Sequence, residues 1–294
     1  MAHKAGFVNI IGSPNVGKST LMNVLVGERL SIITSKAQTT RHRIMGIVSG
    51  EDFQIVYSDT PGVLKPNYKL QESMMDFVNT ALTDADVILF VTDIYEDIRI
   101  EEKVLTKIKN TTAKVLLLVN KVDLAKNQEQ LEEKVQYWKN EVPKAEVIPV
   151  SALEKFNTDY IFNRIIANLP ESPGFYDKDQ LTDKPEKFFV SEIIREKILM
   201  NYKKEIPYSV EVVVESFKDE EKIIKIRAEI IVVRDSQKGI IIGHQGKALK
   251  KVGTEARKDL EEFFQKQIFL ELFVKVNKDW RDSDTQLKRF GYNN

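Results

Sequence analysis

Gly12, Ser13, Pro14, Asn15, Val16, Gly17, Lys18 and Ser19 have the spacing GxxxxGK[ST], and Thr20 follows them. Glycines so placed let backbone amides fold around phosphate oxygens. A lysine such as Lys18 reaches the outer phosphates, and a hydroxyl such as that of Ser19 can ligate magnesium. The turn stands between an apolar run, Phe7 to Ile11, and a helical pattern, Lys18 to Val26, so helix N-terminal amides would add positive potential. The competing reading is a glycine-rich turn that ends in Lys-Ser by coincidence, and the strand and helix on either side count against it.

Asp59, Thr60, Pro61 and Gly62 follow a third apolar run, with Val63 next. At a strand end Asp59 would face the same crevice, holding magnesium through water while the Gly62 amide bonds a γ-phosphate. Alone, such a tetrapeptide reads as a plain turn. Asn120, Lys121, Val122 and Asp123 close a fifth run. A carboxylate at Asp123 can accept two hydrogen bonds from the ring N1 and exocyclic amine of guanine, a donor pair adenine lacks. The Lys121 stem can lie on the base, and Ser151, Ala152 and Leu153 could offer amides to the guanine oxygen. Helix capping by Asp123 is the bland alternative. Between the phosphate turn and the second run, Gln38-Thr39-Thr40-Arg41 offers a hydroxyl to complete the magnesium shell. Thr40 is preferred over Thr39. The expected hydrolytic set is therefore Lys18, Thr40, Asp59 and Gly62, with Ser19, Thr40 and Asp59 around the metal.

Positioning these residues demands a particular scaffold. Short apolar runs at 7–11, 44–48, 53–58, 87–92, 115–119 and 147–150 alternate with helical patterns at 18–26, 69–82, 101–110, 128–140 and 158–168. That alternation predicts an α/β fold, a doubly wound, mostly parallel six-stranded sheet with helices on both faces. The 294 residues, 42% hydrophobic, suffice for two domains with cores. Lysine plus arginine equals aspartate plus glutamate at 44 each, so net charge gives no global attraction to nucleic acid. Without cysteine there are no disulfides, zinc thiolates, iron–sulfur clusters or thiol nucleophiles. His3, His42 and His244 are too scattered for a histidine metal site. No run suits a membrane span and residues 1–9 lack a secretory apolar block, so a cytoplasmic address is expected.

Pro170, Pro173, Gly174, Asp177, Asp179, Asp183 and Pro185 crowd a stretch poor in apolar residues. This predicts a first domain over 1–172, a linker over 173–187 and a smaller α+β domain over 188–294 ending in a polar tail. There Ile242, Gly243, His244, Gln245, Gly246 and Lys247 place a GxxG between an apolar run and a basic helix that also carries Lys250. Residues 236–253 hold Lys238, Lys247, Lys250 and Lys251 and no acid. Paired glycines let a nucleic-acid backbone come close, so single-stranded RNA is the expected ligand. The competing reading is a helix–turn–helix joint with solvated lysines.

The motifs GSPNVGKS, QTTRH, DTPG, NKVD and SAL resemble the guanine-nucleotide motifs of the translation-factor-related GTPases. Val63 stands where Ras-like enzymes commonly carry a water-orienting glutamine. An asparagine matching Asn15 helps some relatives bind potassium in place of an arginine finger. The second half resembles a type II KH domain. With SEIIREK at 191–197, PYSV at 207–210 and GTEARK at 253–258, the whole chain resembles the bacterial Era family of ribosome-assembly GTPases. That resemblance implies a magnesium-dependent GTPase cycling between GTP and GDP. It also implies nucleotide-dependent binding of the 3′ end of small-subunit rRNA, a role in small-subunit maturation and peripheral contact with the inner membrane. A monomer is expected. Three rivals stay open: an RNA-binding module with incidental hydrolysis, a GTPase whose second domain grips a protein, and a two-G-domain assembly GTPase with a KH-like end, which the single phosphate loop disfavours.

Overall fold

The structure, a computed structural model, describes residues 2–95 and 102–292. In the first unit the chain runs β1 (Lys4–Gly12), α1 (Lys18–Val26), β2 (Ile44–Ser49), β3 (Phe53–Asp59), α2 (Lys69–Thr83) and β4 (Val87–Asp93). It continues through α3 (Glu102–Asn110), β5 (Lys114–Asn120), α4 (Gln128–Glu141), β6 (Glu146–Pro149) and α5 (Thr158–Asn168). Glu101, the expected first residue of the third helix, lies outside the described residues. The strands form one six-stranded sheet in the order β2-β3-β1-β4-β5-β6. Only β2 runs antiparallel to its neighbour. Its central strands read as unbroken apolar runs because helices cover both faces: Val8, Ile10, Ile11, Leu89, Phe90, Leu117 and Leu118 are fully buried. Parallel strands separated by helices all deliver their carboxyl ends to one edge. Gly12, Asp59, Asp93 and Asn120, each the last residue of its strand, therefore meet there.

The segment expected to be a linker departs from that reading. Residues 71–183 stay with the first unit, and the second takes 184–294 together with 68–70. The outer edge of β2 would otherwise present unpaired amides. Instead the Ile47 amide donates to Leu181 O (2.8 Å), the Met45 amide to Asp183 Oδ1 (3.1 Å), and the Thr182 hydroxyl to Met45 O (2.7 Å). Gln54 fastens the same segment further back, accepting from the Phe175 amide (2.6 Å) and donating to Tyr176 O (2.8 Å).

The second unit contains α6 (Glu186–Asn201), the short α7 (Ile206–Ser209), β7 (Val210–Asp219), β8 (Ile223–Val232), α8 (Asp235–Ile242), α9 (Lys247–Phe264), β9 (Gln267–Val276) and α10 (Asp284–Arg289). β7 and β8 are antiparallel and β9 joins β8 in parallel, in the order β7-β8-β9. Ile194, Ile198, Val210, Ile226, Ile230, Val252, Ala256 and Leu260 fill the core between helices and sheet. The tail, expected to be polar, holds buried residues of its own: Trp280 and Leu287 are fully buried and Tyr292 nearly so. The Tyr292 hydroxyl donates to Glu211 Oε2 (2.6 Å), giving a buried carboxylate a partner.

Candidate nucleotide and nucleic-acid sites

The phosphate turn is shaped by two close approaches. Gly17 has φ 99°, and a Cβ there would lie 2.2 Å from Asn120 Nδ2. A Cβ at Gly62 would lie 2.7 Å from the Cα and N of Pro14. Glycine alone lets the phosphate turn, the DTPG turn and the base motif pack this tightly. The Val63 amide donates to Gly12 O (3.1 Å), and the Thr60 hydroxyl to Ile10 O (2.7 Å), fixing the DTPG turn against β1. The Lys18 ammonium, nearly buried, donates to Gly12 O (3.0 Å) and Ser13 O (2.8 Å), inside the turn that would wrap phosphates.

Ser19, Thr40 and Asp59 converge. Ser19 Oγ donates to Asp59 Oδ2 (2.7 Å) and lies 2.9 Å from Thr40 Oγ1, which itself donates to the same carboxylate oxygen (3.2 Å). Thr39 instead turns away to Lys36 O (2.6 Å) and Thr34 Oγ1 (2.6 Å). Asp59 is fully buried, and its Oδ1 has no hydrogen-bond partner. Burial holds its carboxyl above the usual range; the Lys18 charge and the Ser19, Ser31 and Thr40 hydroxyls offset this only in part. A buried carboxylate oxygen without a partner, beside two hydroxyls, is the donor set a hard, oxygen-seeking cation suits. Pro14, Asn15, Gly17, Lys18, Thr20 and Thr40 are among the residues around a cavity of about 360 Å³.

The base motif is braced from two sides. Asn120 Nδ2 donates to Val16 O (2.7 Å), and its Oδ1 accepts from the Ala152 amide (3.0 Å), joining β5 to the phosphate turn and to the Ser151–Leu153 segment. The Ser151 amide donates to Phe156 O (3.3 Å), so two of the three amides expected to meet the guanine oxygen are already engaged. Lys121, at φ 60°, donates to Asn15 O (2.6 Å) and Asp93 Oδ2 (2.6 Å). The Val122 amide donates to Val150 O (3.3 Å), and Asp123 stands exposed. Asp93 was not found from sequence. Its only signal is that it ends an apolar strand, as Asp59 does. Val63 is buried and apolar, so it offers no group to orient an attacking water.

In the second unit Gly243 (φ 69°) and Gly246 (φ 73°) bound a tight turn over His244–Gly246, between α8 and α9. The Tyr202 hydroxyl, which burial pushes up to about 12, donates to Ile241 O (2.6 Å) and pins the end of α8 beside Ile242. His244, Gln245, Lys247 and Lys250 line the solvent side of the turn and of α9. A groove of about 570 Å³ runs from Gly246 along α9 and β9, lined by Leu249, Lys250, Gly253, Arg257, Leu270 and Leu272. Gly246 and Lys250 are the sequence-predicted residues that line it. The apolar walls, Leu249, Leu270 and Leu272, are half-buried and look from sequence like ordinary core.

A phosphate turn, a hydroxyl–carboxylate cluster and a guanine motif on a P-loop sheet, followed by an αββααβ unit with GxxG at a groove, define a GTPase joined to a KH domain. The comparisons agree. A family model described as a 50S ribosome-binding GTPase matches residues 7–121, and a KH domain model matches 205–281. The chain is 43% identical over 292 residues to the GTPase Era of Staphylococcus haemolyticus, covering 99% of this chain and 97% of the relative. Staphylococcus epidermidis GTPase Era matches to the same extent. Two solved structures, each 37% identical and covering 99% of this chain and 100% of their own, superpose with TM-scores of 0.94 and 0.95. They are a point variant of Aquifex aeolicus Era bound to GDP·AlF4⁻, and Era in complex with MgGDPNP and nucleotides 1506–1542 of 16S ribosomal RNA. The chain belongs to the Era family of GTPases.

Proposed function

We propose that this GTPase uses its KH unit to bind the single-stranded 3′ end of small-subunit rRNA, more tightly with GTP than with GDP, and so assists maturation of the small ribosomal subunit. The observation that carries the reading is a full-length match to an Era bound to both MgGDPNP and a 16S rRNA fragment, together with a lysine-edged, leucine-walled groove at the GxxG turn.

Hydrolysis on this chain rests on placement and electrostatics. Amides of residues 13–19 and the Lys18 ammonium would take the β- and γ-phosphates, Lys18 leaving its carbonyl partners to do so. Ser19, Thr40 and Asp59 would hold magnesium, whose contribution is to neutralise charge building up on the phosphates. The Gly62 amide would bond the γ-phosphate, and Asp123 would select guanine. Asn15 lines the same cavity. A potassium ion near it is tested by comparing turnover in potassium and sodium chloride, with faster turnover in potassium expected. With Val63 in place of a polar side chain, intrinsic turnover should be slow.

Among the described residues no helix is long and apolar enough to cross a membrane, so contact with the inner membrane through these helices would be peripheral; co-sedimentation with anionic vesicles tests it. The RNA reading is tested by titrating a fluorescent RNA matching nucleotides 1506–1542, with a scrambled control, at fixed salt. Selective binding that is lost on disturbing the GxxG turn is expected. RNA that leaves turnover and binding signals untouched would point to a protein partner instead.

A further inference from the structure

Behind the metal-binding cluster lies a second polar assembly, separate from the groups that would hold phosphates and magnesium. Arg43 is the last residue before β2 and stands three positions after Thr40. Its guanidinium is almost fully buried, and each of its three nitrogens donates a hydrogen bond. Nε donates to Ser58 Oγ (2.6 Å), Nη1 to Asp84 Oδ2 (2.6 Å), and Nη2 to Asp84 Oδ1 (3.0 Å) and Asn9 Oδ1 (3.2 Å). Asn9 and Ser58 are paired across β1 and β3 and wholly buried. Asn9 Nδ2 closes the assembly by donating to Asp84 Oδ1 (2.7 Å) and to Ala81 O (2.6 Å), near the end of α2.

The positions joined are informative. Ile44 pairs with Asp59 across β2 and β3, so Arg43 sits beside the point where β3 gives way to the DTPG turn. The segment bearing Thr40 ends at Arg43. The segment bearing Gly62 runs into α2, which ends at Thr83, next to Asp84. Both nucleotide-sensing segments are thus anchored at their far ends by one bidentate ion pair. An arginine fork fixes angle as well as distance, which a lysine cannot do.

We propose that Arg43 and Asp84 are positioning residues for GTP hydrolysis: their ion pair sets where the Thr40 and Gly62 segments are anchored and thereby holds the Thr40 hydroxyl against Asp59. GDP binding, which leans on the phosphate turn and the base motif, does not depend on the pair. The γ-phosphate state does.

The test compares the full chain with Arg43→Lys and Asp84→Asn. Four quantities are measured: kcat and KM for GTP, affinity for a fluorescent GDP, the magnesium concentration that half-saturates GDPNP binding, and amide hydrogen exchange of residues 33–43 in both nucleotide states. Arg43→Lys is expected to lower kcat about tenfold, a modest share of what a misplaced group can cost. It should raise half-saturating magnesium several-fold and leave GDP affinity within about twofold. Exchange of 33–43 with GDPNP should approach that seen with GDP, and Asp84→Asn should reproduce the pattern. Unchanged kcat and exchange in the variants would overturn the proposal. So would a fall in thermal stability accompanied by equal losses in GDP affinity and turnover, which marks a merely structural brace. Should Arg43→Lys fail to fold, the same criteria apply to Asp84→Asn, whose side chain is 41% exposed.

Discussion

Both units set a glycine-bounded turn before a helix, Gly12–Ser19 before α1 and Gly243–Gly246 before α9, yet they treat charge in opposite ways. Around the first turn the central groups are sunk: Lys18 and Thr40 are nearly buried, and Asp59 is wholly so with one oxygen lacking a partner. Around the second, Lys247 and Lys250 reach solvent beside an apolar groove. Fixed, desolvated charges act strongly on a bond being broken, because little solvent must reorganise. Solvated lysines attract a polyanion and release it on a salt-dependent equilibrium. The same local motif thus supports chemistry in one unit and reversible grip in the other, and burial makes the difference.

The contrast is broken most severely at Lys18. Lys18→Ala should lower GTP turnover at least about 100-fold in a steady-state phosphate-release assay while leaving RNA affinity without nucleotide unchanged. A fall in both would mean the two sites are not separable. Next in size, Gly246→Asp adds a carboxylate where the φ of 73° strains aspartate less than most side chains and where a Cβ meets no atom within 4 Å. RNA affinity should fall about tenfold with turnover unchanged; equal RNA affinity by anisotropy would remove the GxxG turn from the interface.

Smaller effects sharpen the electrostatic side. Lys250→Ala should weaken binding modestly and reduce the slope of log affinity against log salt by about 0.7, the loss of one single-strand phosphate contact. An unaltered slope would place Lys250 outside the phosphate path. For Asp59, whose folded pKa is raised by burial, the ionised form is the one that binds metal. Half-saturating magnesium should therefore climb as pH falls through the raised pKa, beginning at a higher pH than for an ordinary carboxylate. Without nucleotide the sign reverses for stability. The folded state holds the proton more tightly, so raising the pH through the shifted pKa should lower the melting temperature, and Asp59→Asn should abolish that loss. A flat melting profile in wild type would contradict the burial argument.

The nucleotide motifs were legible because each is a short string at the end of a strand that periodicity alone locates: Gly12, Asp59 and Asn120 close β1, β3 and β5. The GxxG turn of the second unit was legible as glycines between an apolar run and a basic helix. What sequence did not show depends on long-range pairing that leaves no local period. Residues 173–187 look like a linker because proline and aspartate crowd them, yet 181–183 cap the β2 edge. Trp280, Leu287 and Tyr292 sit too sparsely in a polar tail to announce a buried face. Asp93 and Arg43 acquire meaning only when Lys121 and Asp84 arrive beside them.

The most direct test of the account is the affinity for RNA of nucleotides 1506–1542, measured at one salt concentration with GDPNP and with GDP bound. Binding at least about fivefold tighter with GDPNP is expected, the low end of ordinary allosteric coupling, with affinity in both states about tenfold lower in Gly246→Asp. Equal affinities in the two nucleotide states would contradict it, leaving a GTPase and an RNA-binding unit that share a chain without sharing a switch.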